Sequence, residues 1–140
     1  MGPNLVECAA ANTGSYQNKD WHTRVNYQGE VPLLSAHATR NADAKGLQLL
    51  VVNRDELQDT ETEITLHNFA PKSQIEVLTL NGPSALSHND VTNREPQYHS
   101  FANAPEPVVK VNRSMSTAGH AKFRFTFAAH SVTVLRLDSQ

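Results

Sequence analysis

The sequence predicts an all-β chain, an antiparallel β-sandwich. Three observations point there. Residues 122–127 (KFRFTF) alternate strictly: Phe123, Phe125 and Phe127 fall on one side, Lys122, Arg124 and Thr126 on the other, which is the period-two signature of a half-buried strand. Residues 46–53 (GLQLLVVN) form a short apolar run bounded by polar turns, as a strand covered on both faces does. No window carries apolar residues at the 3.6-residue spacing of an amphipathic helix.

Length and composition set the limits. The chain has 140 residues and a mass of 15.4 kDa, the size of one domain. It is shorter than the roughly 200 residues a (β/α)8 barrel needs, so chemistry that depends on such a barrel is not carried here. Leu, Ile, Val and Phe number 32 of 140, above the roughly 20% below which chains tend to be disordered. Twelve basic residues against 14 acidic ones give a net charge of −2. The basic residues are scattered singly, which disfavours a nucleic-acid partner. No stretch reaches 18 apolar residues, so no membrane-spanning helix is expected. Residues 1–11 lack the basic and apolar regions of a signal peptide, and the chain reads as a domain processed or cut from something larger, or as cytoplasmic, with its location otherwise open. The single cysteine, Cys8, excludes an intrachain disulfide and a Cys-based metal finger.

Element by element, residues 1–29 are rich in Asn, Gln, Gly and Thr and hold neither period for long. They read as a connector or extended arm, with residues 30–140 as the sandwich proper. Residues 31–39 (VPLLSAHAT) read as one strand with Pro32 near its start, where a strand tolerates proline. Asn41, Asp43 and Gly46 then make a turn before the 46–53 strand. Residues 61–68 (ETEITLHN) alternate, with Glu61, Glu63, Thr65 and His67 on one face and Thr62, Ile64 and Leu66 on the other. Residues 73–80 form a further strand, closed by the turn Asn81-Gly82-Pro83. Residues 82–107 carry four prolines and little periodicity, and read as a long crossover held by Tyr98 and Phe101, or a functional loop. Residues 131–137 are the last strand, and the link Ala128-Ala129-His130-Ser131 suits a tight hairpin with 122–127. The apolar phase shifts from Val132/Val134 to Leu135/Leu137, which predicts a bulge or a strand covered on both sides.

The order of GEVPLL (29–34), GLQLLVVNRD (46–55), ITLHNF (64–69), IEVLTLNGPSALSHNDVTNREPQ (75–97) and FAAHSVTVLRL (127–137) resembles the C-terminal domain of family-51 α-L-arabinofuranosidases. Leu80-Asn81-Gly82, then Asn89, Asn93 and Pro96, then His130-Ser131 before the final strand follow that pattern. Ala128-Ala129 depart from it, standing where prolines are usual. The resemblance covers residues 29–138. It implies a jelly-roll-like sandwich that accompanies a catalytic barrel in the same enzyme. That enzyme would release terminal arabinofuranosyl groups from arabinan and arabinoxylan with retention, through two glutamates on the barrel. None of the barrel's motifs is present, so no catalytic residue, cofactor or metal ligand is assigned to this chain, and the chain alone is expected to be inactive. The resemblance also implies a strand contributed from elsewhere in the enzyme, which would leave an exposed edge here unless the 1–29 arm or a second copy in a homo-oligomer covers it.

A retaining glycosidase needs two carboxyls about 5–5.5 Å apart; Glu61 and Glu63, two apart on a strand, lie about 6.6–7 Å apart at Cα and read as a solvated face. Seven histidines form no HxH or HxxxH pair; His88 and His99, with Asp90, are the nearest approach to a zinc site. His130 and Ser131 are adjacent, so on a strand they point to opposite faces and do not make a nucleophile–base pair. Trp21, Tyr27, Tyr98 and Phe101 are the candidates for stacking on sugar rings, which would make the chain a free-standing carbohydrate-binding module for arabinose-containing polysaccharide. The alternative reading of all four is packing.

Overall fold

The computed structural model describes residues 4–19, 28–87, 89 and 108–140. They form ten strands: β1 (Asn4–Val6), β2 (Ser15–Lys19), β3 (Gln28–Pro32), β4 (Leu34–Arg40), β5 (Gly46–Asn53), β6 (Thr60–Thr65), β7 (Gln74–Asn81), β8 (Lys110–Thr117), β9 (Lys122–Phe127) and β10 (Ser131–Asp138). Among the described residues there is no helix, and hence none long and apolar enough to cross a membrane. The fold is all-β and antiparallel, as the alternation predicts.

Six strands make the main sheet, in the order β1-β4-β5-β10-β7-β8. β10 lies inside it, paired with β5 from Ser131↔Asn53 to Asp138↔Gly46 and with β7 from Val132↔Leu80 to Arg136↔Glu76. β6 and β9 make a separate two-stranded ribbon, as do β2 and β3. The inner face of the main sheet supplies Leu49 and Val51 from β5, Ile75 and Val77 from β7, and Leu135 and Leu137 from β10. They share one apolar core with Ile64, Phe123 and Phe127 of the β6–β9 ribbon. Burying one such side chain contributes about 1.5–3 kcal/mol, so this shared core is what holds the two layers together. The phenylalanines of β9 face it, as their alternation predicts, and the Phe125 and Phe127 rings meet at 4.9 Å.

Several expectations need correction. Residues 31–39 are not one strand. The chain changes sheets at Leu33, between β3 and β4. Leu33 donates its N–H to the Gly14 carbonyl on the β2 side and accepts from the Arg54 N–H on the main-sheet side. The 128–131 link is not a hairpin turn, because β9 pairs with β6 and β10 with β5 and β7. It is a crossover between layers, turned at His130, whose φ is +42°. β10 has no bulge either: its pairing with β5 is unbroken over all eight residues. What shifts is residue type. Ser131 and Thr133 occupy inner-face positions beside Leu135 and Leu137, and all four are buried. The two hydroxyls are satisfied by the Ala128 carbonyl and the Thr79 hydroxyl.

Three strands lie where no periodicity marks them. β1 pairs with β4 over Ala38–Arg40, β2 pairs with β3, and β8 pairs with β7 along its whole length. The first two fall within residues 1–29. All three sit at sheet margins, where backbone pairing proceeds without an apolar face to bury.

Candidate functional site

The most elaborate polar arrangement gathers where β5 and β7 end and the β9–β10 crossover begins. β5 delivers Asn53, only 2% exposed, to this end. Its Nδ2 lies 3.1 Å from the carbonyl oxygens of both Phe127 and Ala128, and 3.2 Å and 3.3 Å from the Gln58 carbonyl and the Thr60 hydroxyl. Its Oδ1 accepts the Asp55 N–H at 3.0 Å. Asp55 in turn accepts the N–H groups of Leu57 and Gln58, each at 2.9 Å. These two backbone bonds hold its carboxyl below the usual carboxylate range. Asp59 accepts the Ala129 N–H at 2.9 Å. The His130 ring bridges two loops: Nδ1 lies 3.0 Å from the Glu56 carbonyl and Nε2 3.1 Å from the Gly82 carbonyl. Asn81 closes the corner, its Oδ1 accepting the Gly82 N–H at 2.7 Å.

Chemically this is a fastening. The His130 nitrogens lie against two backbone carbonyls and the Ser131 hydroxyl donates to a third, so both side chains are tied to the backbone. Among the described residues, no deeply buried side-chain nitrogen or oxygen lacks a hydrogen-bond partner. The residues that do this work, Asn53, Asp55 and Asp59, have one sequence signal: an Asn-x-Asp pattern straight after an apolar run, which is Asx-turn chemistry.

Trp21, Tyr27, Tyr98 and Phe101 lie outside the described residues, as do His22, His88, Asp90 and His99. Glu61 and Glu63 sit on the exposed face of β6, each paired across to β9: Glu61 with Arg124 at 3.2 Å and Glu63 with Lys122 at 2.9 Å. That is the solvated face expected of them. Among the described residues, no three His, Cys, Asp or Glu side chains gather as metal ligands. Cys8 is exposed, and partial shielding of its sulfur pushes the thiol pKa up, away from the thiolate a reactive cysteine needs. Beyond Pro83, the long 82–107 segment is described only to Ser87 and at Asn89. There the Asn89 side chain donates to the Val109 carbonyl at 2.7 Å and accepts the Val109 N–H at 2.9 Å, pinning the base of the segment.

No protein-family model and no curated protein matches the chain. Solved structures do. The GH51 α-L-arabinofuranosidase of Thermotoga petrophila is 25% identical, with a TM-score of 0.61 over 79% of this chain. The shared fold is one found within GH51 arabinofuranosidases. The α-L-arabinofuranosidase of Thermotoga maritima, solved with arabinose, is similar at 24% identity and a TM-score of 0.61 over 79%. The GH51 enzyme of Xanthomonas axonopodis pv. citri reaches 0.62 over 89% at 16% identity. In each case the match spans only 21% of the other chain. The likeness is one of fold, and it agrees with the resemblance read from the order of segments between residues 29 and 138.

Proposed function

We propose that this chain is the C-terminal accessory sandwich of a larger α-L-arabinofuranosidase, where it braces a catalytic barrel. Hydrolysis of terminal arabinofuranosides in arabinan or arabinoxylan belongs to that barrel. The observation that carries this reading is the fold likeness to GH51 enzymes over 79–89% of this chain and about a fifth of theirs. The polar end described above supports it, because its side chains fasten loops. The two strand carboxylates support it too: Glu61 and Glu63 are exposed and ion-paired, not held in the apolar pocket that tunes a glycosidase acid.

The coding sequence immediately upstream tests the reading. An in-frame barrel carrying two glutamates at strand ends is expected, and an unrelated upstream domain would overturn it. Affinity electrophoresis of the chain in arabinan or arabinoxylan gels tests the sugar-binding alternative. Unchanged mobility is expected of a bracing domain, whereas retardation would favour a carbohydrate-binding module with its platform among the aromatic candidates.

A further inference from the structure

Asn81 ends β7, and Gly82 follows it. Of the twelve asparagines in the chain, Asn81 alone precedes a glycine. Gly82 lies one residue past the β7–β8 ladder, whose last pair at this end is Asn81↔Lys110. Its N–H is given to the preceding side chain: the Gly82 nitrogen stands 2.7 Å from Asn81 Oδ1. The side-chain amide carbon, Cγ, is one carbonyl bond of about 1.23 Å from that oxygen, so the nitrogen lies within about 3.9 Å of Cγ. Asn81 Nδ2 is held loosely, 3.4 Å from the Ala129 carbonyl. Both residues are half-buried, so water reaches the corner.

We propose that Asn81-Gly82 is a site of spontaneous covalent modification, at which Asn81 deamidates through a cyclic imide. The Gly82 nitrogen gives up its proton and attacks Cγ of Asn81. A C–N bond forms and closes a five-membered ring. The Cγ–Nδ2 bond breaks, and the side-chain nitrogen leaves with the proton as ammonia. Solvent water then opens the ring. Attack at Cγ yields aspartate, and attack at the main-chain carbonyl carbon yields isoaspartate. The sum is asparagine plus water going to a carboxylic acid plus ammonia, with nothing oxidised or reduced. Holding the reacting atoms close turns a rare encounter into a local step, and a glycine has no Cβ to crowd its nitrogen. Packing keeps that glycine in place. A Cβ at position 82 would lie 2.7 Å from Ser87 Cβ and 3.2 Å from Val109 Cγ2, so the corner that closes on Gly82 also retains the labile pair.

The modification acts on the fastening. Isoaspartate routes the main chain through the former side chain and adds one carbon between Cα of residue 81 and the Gly82 nitrogen. That displaces the Gly82 carbonyl, which stands 3.1 Å from His130 Nε2. It also removes the Oδ1 acceptor of the Gly82 N–H. Either product places one new negative charge at the end of β7. The chain therefore loosens with age where β7, the β9–β10 crossover and the start of the long segment meet.

Timed incubation of the folded chain at mildly alkaline pH, followed by tryptic mass mapping, tests this. The peptide spanning residues 73–94 is expected to gain one mass unit, assigned to Asn81 by its fragment ions, with isoaspartate told from aspartate by electron-transfer fragmentation. Asn81 should carry about tenfold or more product than any other asparagine, the scale on which positioning of reacting atoms acts. Asn81→Gln, which would need a larger ring, should remove most of the mass gained by the whole chain. The same chain unfolded in guanidinium chloride is the reference, and incubation continues until it has reacted. A folded chain still unmodified at Asn81 at that point overturns the proposal, as does a gain spread evenly over the other asparagines. Ion exchange then separates the aged, more acidic fraction, which should unfold at a lower denaturant midpoint than the unaged one. An equal midpoint would overturn the link between the modification and the fastening.

Discussion

Asn53 ties β5, the 54–59 loop and the β9–β10 crossover together through one amide. Its two N–H hydrogens are shared among four oxygens within 3.3 Å, and the residue is almost fully buried. Asn53→Ala removes the donor shared by the carbonyls of Phe127 and Ala128, the second of which keeps the Ser131 hydroxyl, at a cost of about 1–3 kcal/mol for buried polar groups that lose a partner. Urea unfolding should show that loss, with little change in slope. Asp55 sits one step outward. Its folded pKa is lowered, so its contribution is fully present above the ordinary carboxylate value of about 3.9 and is lost as pH falls through the lowered folded value. Asp55→Asn keeps an oxygen to accept the Leu57 and Gln58 N–H groups but removes the charge. The stability gap between the parent chain and Asp55→Asn should be widest near neutral pH and close below about pH 4, as followed by thermal melts across that range. Asx turns of this kind are legible in sequence, but the burial of Asn53 is not, because the partners that make it a hub lie about 75 residues away.

At the scale of elements, strands that bury a face announce themselves. β5 and β9 are bounded as the apolar run and the phenylalanine alternation predict, and β10 extends one residue further to Asp138. β1, β2 and β8 did not show, for a physical reason: a marginal strand is held by its backbone bonds and needs no apolar stripe. β8 reads KVNRSMST and buries almost nothing. The β9–β10 link misled in a different way. Three residues (128–130) are short enough for a hairpin, yet the Phe face of β9 packs onto the sheet that contains β10, and two strands in facing layers are not hydrogen-bonded neighbours. The interior position of β10 makes it the costliest strand to damage. Leu135 is fully buried between β5 and β7, and Leu135→Ala should cost about 2–5 kcal/mol. Met115→Ala, on the exposed margin, should stay within about 0.5 kcal/mol. Denaturant midpoints of the two variants, measured side by side, check this ordering.

For the whole molecule, the described residues hold a two-layered apolar core with its polar end fastened shut. Function is drawn from the likeness of that fold to a fifth of much longer arabinofuranosidases. The order of segments between residues 29 and 138 made that likeness legible in the sequence. No catalytic pair was legible: the strand carboxylates that the sequence offers, Glu61 and Glu63, are exposed and ion-paired with Arg124 and Lys122. The most direct measurement is the release of aryl alcohol from an aryl α-L-arabinofuranoside by the pure 140-residue chain. An accessory sandwich should give a rate indistinguishable from the buffer blank, and Glu61→Gln and Glu63→Gln should leave it there. Turnover that co-purifies with the chain and is lost in either glutamate variant would contradict the assignment of hydrolysis to a separate barrel.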